Sequence, residues 1–176
     1  AGLELVKLLA AHPGVRLACA ASDARAGKPI DEMTGTRTNL PFVTAETALA
    51  TKADVALLAT PPEPAAELTP KLLAAGTRVI DLSNAHRADP RAVYGLASLF
   101  ASEVADSVLV ANPGCYATSI LLALVPLLKS KLIDENSIVV DAKSGTTVAG
   151  RKAAEHLLYS EVEGECLPYR VGRHQH

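Results

Sequence analysis

A cysteine that directly follows a proline–glycine turn is the residue with the clearest chemical potential in this sequence. The apolar run 107–111 leads into Asn112, Pro113 and Gly114, and Cys115 then stands at the start of a long apolar helical pattern. Unpaired backbone N–H groups and the positive end of the helix dipole meet at a helix N-terminus, where they stabilise a thiolate. They can also hold the oxyanion that forms when a thiolate attacks a carbonyl. The position therefore favours a catalytic nucleophile; the alternative is a small buried hydrophobic residue.

Further polar residues follow two other apolar runs that predict strands. Ligands collect at the carboxyl ends of strands in an open parallel sheet, so these residues are candidates for the same site. The first group is Asp81, Ser83, His86 and Arg87. An arginine there can bind a phosphate or a carboxylate through two parallel hydrogen bonds; the alternative is an ordinary surface arginine. The second group, Ser144 and Gly145, lets a ligand approach the backbone closely, and its alternative is a plain turn.

Two histidines, His174 and His176, stand near the end of the sequence. Histidine is well suited to proton transfer near neutral pH, so either residue is a candidate acid or base. Two histidines can also ligate a metal, but no third ligand is evident, so we expect no metal; a solvated tail is the other alternative. The 3 cysteines show no CxxC spacing, which speaks against a disulfide framework and favours a reducing, cytoplasmic compartment.

The composition indicates a globular protein. Of the 176 residues 49% are hydrophobic and 20% are charged, and the net charge of −2 argues against nucleic acid or an anionic membrane as partner. Aromatic residues make up 3% and tryptophan is absent, which speaks against a surface that stacks on bases. The apolar runs are shorter than the roughly 18 residues that a membrane span needs.

Short apolar runs alternate with helical patterns along the chain. Predicted strands cover residues 15–22, 54–60, 77–83, 107–112 and 137–145. Predicted helices cover the segment before His12 and residues 64–76, 116–132 and 149–161. The strands are continuously apolar, as expected when helices cover both faces of a sheet. The pattern predicts an α/β fold with a Rossmann-like, doubly wound parallel sheet.

Such a fold normally opens with a strand and a glycine-rich turn, whereas this sequence opens with a helical pattern. We therefore expect a piece of a longer chain, with the first strand upstream and Gly2 as the last glycine of the turn. A change of character near residue 112 predicts a domain junction. Residues 1–112 would form the dinucleotide-binding domain, and residues 113–176 the start of an α+β catalytic or substrate domain.

The segment ANPGCYATS (111–119) resembles the active-site signature of the N-acetyl-gamma-glutamyl-phosphate reductases, the arginine-pathway relatives of aspartate-semialdehyde dehydrogenase. The aspartate-semialdehyde enzymes usually carry a shorter Asn-Cys pair. Four more segments resemble this family in the family's order: AGLELVKLLAAHPGV, RVIDLSNAHR, DAKSGTTVAGRKA and PYRVGRHQH. One departure is NAHR, which replaces the commoner acidic–aromatic pair before the arginine.

The resemblance implies an NADPH-dependent reduction of N-acetyl-gamma-glutamyl phosphate. The thiolate of Cys115 would attack the acyl phosphate and release phosphate, leaving a thioacyl enzyme. Hydride transfer from the cofactor would then give N-acetylglutamate 5-semialdehyde. The family also implies a homo-oligomer. Because the family usually continues beyond this sequence at both ends, we expect residues 1–176 alone to bind NADP poorly and to be weakly active or inactive.

The resemblance also implies roles for residues outside the cysteine segment. The acid/base would be His174, with His176 as the second choice. Residues on the phosphate side of the substrate or cofactor would be Ser83, Arg87 and Asn112. Residues along the cofactor would be Gly2, Thr60 and Pro61, with Ser144 and Gly145 at its nicotinamide end. The 2′-phosphate of NADP would be bound by Ser22 and Arg25, although Asp23 beside them keeps NAD possible.

Three alternatives remain open at this point. The first is an N-acetyl-aminoadipyl-phosphate reductase of lysine synthesis, whose substrate differs by one methylene. The second is a cysteine hydrolase or amidotransferase that uses Cys115 and a histidine without a nicotinamide. The third is a dinucleotide-binding fragment without catalytic activity.

Overall fold

The chain divides after Pro113 into two units. The structure is a computed structural model that describes residues 1–150, 154–169 and 171–172. Its units are Ala1–Pro113, here called the first unit, and Gly114–His176, the second unit. The roles that the sequence assigns to the two sides of its predicted junction stay predictions. Within the described ranges, no helix has the length and apolar character that crossing a membrane requires.

Parallel strands organise the first unit. Its helices are α1 (Gly2–Ala11), α2 (Asp31–Thr34), α3 (Ala45–Ala50), α4 (Pro62–Ala74) and α5 (Ala97–Asp106). Its strands are β1 (Ala20–Ala21), β2 (Phe42–Val43), β3 (Val55–Leu58), β4 (Arg78–Asp81), β5 (Val93–Tyr94) and β6 (Leu109–Ala111). One sheet has the order β3-β4-β6-β5 and the other pairs β1 with β2, all in parallel. The predicted parallel α/β architecture is confirmed.

The register of the larger sheet brings the ends of its strands to one edge. Leu58 pairs with Asp81, Asp81 pairs with Ala111, and Ala111 pairs with Tyr94. Each of these residues is the last of its strand, so the loops that follow β3, β4, β5 and β6 all start at this edge. We call it the carboxyl edge. In parallel sheets this is the edge where ligands bind.

Helix α4 and the sheet strands form one apolar core. Leu58, Ala65, Val79 and Leu109 are buried together, and each fully buried valine or leucine side chain contributes about 1.5–3 kcal/mol. The helix begins with Pro62, since proline is well suited to a first helical position, and Gly76 follows its end with φ +79°. The prediction of a helix over 64–76 is therefore confirmed within two residues at each end.

Arg78 joins strand β4 to the end of α5. Its Nε donates to the Ser107 carbonyl at 2.8 Å, and its Nη2 donates to the carbonyls of Val104, Ala105 and Ser107. The last carbonyls of a helix have no partner within the helix, so the guanidinium satisfies groups that α5 leaves open.

The predicted strand over 15–22 is shorter in the structure. Only Ala20–Ala21 is paired, because its neighbour β2 is itself two residues long. The rest of the segment has no strand pairing, and Val15 is 44% exposed. The apolar residues nearby pack instead into a second cluster, in which Val6, Ile30 and Phe42 are buried.

The second unit differs from the α+β prediction. Its helices are α6 (Cys115–Lys129) and α7 (Tyr159–Val162), with short 3-10 turns between them, and its described residues contain no strand. The strand predicted over 137–145 is wrong: Val139 is 91% exposed, and no neighbouring strand satisfies the backbone. Of the helix predicted over 149–161, the described part contains as α-helix only the start of α7, so the prediction is wrong for most of its length. Gly150 has φ +84°, and short turns surround residues 151–153, which lie outside the described residues.

Candidate active site

Cys115 is the first residue of α6 and is exposed. Gly114 precedes the helix and offers no side chain to cap it, and the first turn holds no acidic residue. The Thr118 N–H and hydroxyl both donate to the Gly114 carbonyl at 2.9 Å, which fixes the start of the helix. The thiol therefore lies at an uncapped helix N-terminus, where the helix dipole stabilises a negative charge. In the described residues the thiol is exposed and not part of a core.

A shallow groove of about 440 Å³ opens beside Cys115 within the second unit. Its lining residues are Cys115, Tyr116 and Ser119 from α6 and Lys143, Ser144, Gly145, Thr147 and Val148 from the segment that follows. The structure therefore brings the predicted residues Ser144 and Gly145 into the same groove as the predicted nucleophile. A thiol, hydroxyls and a lysine in one groove provide a nucleophile together with hydrogen-bond donors and a positive charge.

Tyr116 and Ser144 connect the two walls of this groove. The Ser144 hydroxyl donates to the Tyr116 Oη at 2.7 Å, and the Tyr116 hydroxyl lies 3.5 Å from the Ala142 carbonyl, which accepts from it. Lys143 forms an ion pair with Asp141 at 2.5 Å, and this hydrogen bond raises the pKa of the lysine. Lys143 is therefore fully charged at neutral pH. Sequence reasoning missed Tyr116 and Lys143 as site residues, although each is adjacent in sequence to a predicted one.

A hydrogen-bonded carboxylate lies at the carboxyl edge of the first unit. Asp81 is fully buried, and its Oδ1 accepts from the Ser83 backbone N–H at 2.8 Å. Its Oδ2 accepts from the Ser83 hydroxyl at 2.9 Å and lies 2.7 Å from Nδ1 of the buried His86. The Ser83 hydroxyl in turn accepts from the Ala85 N–H at 3.0 Å. This network fixes the turn that follows β4, since a buried carboxylate needs several donors.

The same turn reaches the residue that follows β6. Arg87 is half-buried, and its Nε donates to the Asn112 carbonyl at 3.1 Å. The Asn112 N–H donates to the Asp81 carbonyl at 2.8 Å, and its side-chain amide donates to the Pro113 carbonyl at 3.0 Å. The structure therefore brings together the three predicted phosphate-side residues, Ser83, Arg87 and Asn112. Among the described residues, the terminal nitrogens of Arg87 have no hydrogen-bond partner.

Strand β5 runs close to β6 at this edge. The Gly95 N–H donates to the Ala111 carbonyl at 2.8 Å. A Cβ at position 95 would lie 2.7 Å from the Val110 side chain, which is closer than atoms can approach, so only glycine fits without a shift. Sequence reasoning missed this position, because nothing in the sequence around it marks a strand.

Gly2, Thr60 and Pro61 lie near each other in the first unit. A Cβ on Gly2 would contact the Ala59 side chain at 3.6 Å, so the start of α1 meets the loop that follows β3. Pro61 precedes the first residue of α4. The Thr60 hydroxyl is buried and has no hydrogen-bond partner within the described residues. Such a buried, unpaired hydroxyl is uncommon in folded proteins, and a bound water, ion or ligand can supply the missing partner.

Ser22 and Arg25 flank a 3-10 turn directly after β1. The Ser22 N–H donates to the Val43 carbonyl and the Arg25 N–H donates to the Ser22 carbonyl, each at 2.9 Å. Within the described residues, neither side chain has a hydrogen-bond partner. Asp23 between them is engaged, because its carboxylate accepts from the Ala45 N–H at 2.8 Å at the start of α3. The remaining predictions, His174 and His176, lie outside the described residues.

The chain is similar to known proteins over nearly its whole length. Residues 1–107 match the family model "Semialdehyde dehydrogenase, NAD binding domain", and residues 115–176 match "Semialdehyde dehydrogenase, dimerisation domain". Curated proteins named N-acetyl-gamma-glutamyl-phosphate reductase from Citrifermentans bemidjiense and Geotalea daltonii are 39% and 41% identical to 99% of this chain. The chain spans 57% of the length of each of these relatives.

Solved structures show a similar fold. The structure of aspartate semialdehyde dehydrogenase II complexed with ASA from Vibrio cholerae has a TM-score of 0.59 and 24% identity, over 73% of this chain and 42% of that one. The structure of aspartate semialdehyde dehydrogenase with NADP from Candida albicans has a TM-score of 0.53 and 15% identity, over 73% of this chain and 43% of that one. At these identities the similarity concerns the fold alone.

Proposed function

We propose, from the premise that this chain belongs to the semialdehyde dehydrogenase family, that the protein carrying it is an NADP-dependent N-acetyl-gamma-glutamyl-phosphate reductase. The reaction reduces the acyl phosphate to N-acetylglutamate 5-semialdehyde and releases phosphate. The observation that carries the proposal is the exposed Cys115 at the uncapped start of α6. The relatives at 37–41% identity that bear this enzyme name match 99% of the chain, including this segment.

The first step uses the thiolate of Cys115 as nucleophile. Its sulfur attacks the acyl carbon, a C–S bond forms, the bond to the phosphate oxygen breaks, and phosphate leaves with the electron pair. The amide N–H groups at the start of α6 are suited to stabilise the oxyanion of the tetrahedral intermediate. Lys143, Ser144 and Gly145 line the same groove and would orient the acyl group.

The residues present fit the cofactor. When bound, reduced NADP would supply the hydride that converts the thioacyl group into an aldehyde. Gly2, Thr60 and Pro61 would contact the dinucleotide, and the buried, unpaired Thr60 hydroxyl supports this assignment because it lacks a partner in the protein. Ser144 and Gly145 would lie at the nicotinamide end. The acid/base that completes the reaction is proposed to be His174, with His176 as the second choice.

The surroundings of Asp23 favour NADP over NAD. An enzyme that uses NAD generally needs an acidic side chain that accepts from the ribose hydroxyls. The Asp23 carboxylate instead accepts from the Ala45 N–H, whereas the Ser22 hydroxyl and the Arg25 guanidinium next to it have no partner within the described residues. A hydroxyl and a guanidinium are suited to a 2′-phosphate.

Arg87 and Asn112 are proposed on the phosphate side of the substrate. The Arg87 guanidinium uses its Nε on the Asn112 carbonyl and keeps its terminal nitrogens for an anion. The Ser83 hydroxyl already donates its proton to Asp81 and accepts from the Ala85 N–H, so any contact with a phosphate would use its remaining lone pair as acceptor for a phosphate O–H. Arg87 is therefore the stronger candidate. We further propose a homo-oligomer, in line with the matched dimerisation domain, and a cytoplasmic location.

The assay of the full-length gene product in the reverse direction tests the function. With N-acetylglutamate 5-semialdehyde, inorganic phosphate and NADP, we expect the absorbance of reduced cofactor to rise only when phosphate is present. Turnover of an amide substrate without cofactor would instead identify a cysteine hydrolase. Binding of NADP without turnover would identify a non-catalytic dinucleotide-binding protein.

The lysine-pathway alternative needs a second comparison. The homologous N-acetyl-aminoadipate semialdehyde is longer by one methylene, a difference worth about 1–3 kcal/mol in a pocket. We expect kcat/KM to be higher for the glutamate compound. The reverse order would assign the protein to the aminoadipyl substrate.

A further inference from the structure

His86 is a buried imidazole that the proposed reaction does not use. Its side chain is 8% exposed, and its Nδ1 lies 2.7 Å from Oδ2 of Asp81, whose side chain is fully buried. An ionised carboxylate has no hydrogen to donate, so Nδ1 carries the hydrogen and donates. The imidazole therefore has a fixed orientation at the end of the turn that follows β4.

The turn that His86 closes carries Arg87 as its next residue. The Nδ1 bond fixes residue 86 to the side chain of Asp81, and the Arg87 Nε bond fixes residue 87 to the Asn112 carbonyl. The Asn112 N–H closes the ring by donating to the Asp81 carbonyl. Asp81, the last residue of β4, therefore holds the turn at two points: its side chain binds His86, and its carbonyl binds Asn112, which in turn binds Arg87. Within the described residues, the terminal nitrogens of Arg87 remain without a partner.

We propose that His86 is a positioning residue for Arg87, and that its bond to Asp81 holds the guanidinium with its terminal nitrogens ready for a phosphate group. This inference rests on the proposed function, because Arg87 is placed there on the phosphate side of the substrate. Because its side chain is buried against Asp81, we assign His86 no contact with substrate or cofactor. It acts through the turn, so its loss weakens phosphate binding more than it slows the chemical step.

Two amide substitutions, each of which replaces one ring nitrogen, separate this role from a general packing role. In H86N the side-chain amide nitrogen occupies nearly the position of Nδ1 and can donate to Asp81, whereas in H86Q it occupies nearly the position of Nε2 and cannot. Both variants are polar and of similar size, so both are expected to fold. H156N, at an exposed histidine of the second unit, is the matched control.

The readout is the steady-state kinetics of the full-length enzyme in the reverse direction, with inorganic phosphate as the varied substrate. We expect H86Q to raise KM for phosphate about tenfold with kcat within about twofold, and H86N and H156N to stay close to the wild type. Since His86 acts through Arg87, H86Q should add little to R87A in the double variant, because coupled residues are not additive.

Several outcomes would overturn the inference. These are a fall in kcat at unchanged KM in H86Q, equal effects of H86N and H86Q, or full additivity of H86Q with R87A. A wild-type enzyme without turnover contradicts the proposed function instead. The inference is then decided by the shift of Tm that inorganic phosphate causes: a shift that R87A and H86Q both reduce and H86N keeps supports it, and any other pattern contradicts it.

Discussion

The two units of this chain bury their side chains very differently. In the first unit Leu58, Val79 and Leu109 form a core with α4, and the edge above that core holds the buried Asp81. Among the described residues of the second unit no hydrophobic side chain is buried, and Cys115 is exposed. The difference indicates that the first unit contributes the stable, ligand-positioning part of the chain and the second unit the reactive thiol. Substitutions in the first unit should act mainly on stability and ligand position, and those around Cys115 mainly on the chemical step.

The largest expected effect is on activity, at Cys115. In C115S the poorer nucleophile should lower kcat by roughly three orders of magnitude or more, since the covalent step depends on it. Because the side chain is exposed, the free energy of unfolding should change by no more than about 0.5 kcal/mol. Turnover assays and denaturant unfolding measure the two quantities. A loss of several kcal/mol in the free energy of unfolding would contradict the proposed difference between the units. Retained turnover would show that Cys115 is not the nucleophile.

The second largest effect is on stability, at Asp81. D81A leaves Ser83 and His86 without their buried acceptor, so we expect a loss of about 3–5 kcal/mol in the free energy of unfolding. The control is D141A in the second unit, where the carboxylate is exposed and the loss of its solvent-screened ion pair should change stability little. Equal losses in the two variants would contradict the proposed difference between the units.

A smaller effect is expected from truncating apolar side chains. L109A removes a side chain that is 2% exposed and packs with Leu58 and Val79, and comparable core truncations lower the free energy of unfolding by about 2–5 kcal/mol. L132A in the second unit removes a side chain that is 71% exposed and should change stability by about 0.5 kcal/mol at most. Urea unfolding of both variants measures the contrast.

The smallest effect concerns acid stability of the first unit. Hydrogen bonds from Thr38, Asn39 and Thr36 lower the pKa of Asp31 to about 2 from 3.8. Because the folded pKa lies below the unfolded one, this contribution is present above pH 3.8 and is lost as the pH falls through about 2. D31N should therefore flatten the fall of Tm between about pH 4 and pH 2 relative to the wild type. E32Q, at the exposed neighbouring acid, is the control, and an unchanged slope in D31N would contradict the assignment.

The predictable part of the fold consists of runs with a strong local signal. Continuous apolar residues predict β3, β4 and β6 within a few positions, and the Pro113–Gly114 pair predicts the start of α6. Weak signals fail. Helix α5 contains Phe100 with φ −131°, which breaks its periodicity, and β5 is only two residues long. The apolar segment 137–145 looks like a strand, yet strand formation depends on a neighbour that no local pattern can provide.

The residues of the candidate site also fall into those that the sequence predicts and those that only the structure shows. Cys115, Ser83 and Arg87 can be found in the sequence because each follows an apolar strand run that marks a carboxyl edge. The bond between Ser144 and Tyr116 joins residues 28 positions apart, so spacing alone does not predict it. The unpaired Thr60 hydroxyl is visible only once burial is known.

Arg78 couples two elements that are distant in sequence. It opens β4 and at the same time closes α5, so neither element can open to solvent without breaking the bonds of this guanidinium to the backbone near Ser107. We expect the strand and the helix to behave as one cooperative subglobal unit in native-state hydrogen exchange, with amides in both exchanging through a shared opening. In R78M that shared opening should separate into two, with the last turn of α5 exchanging first.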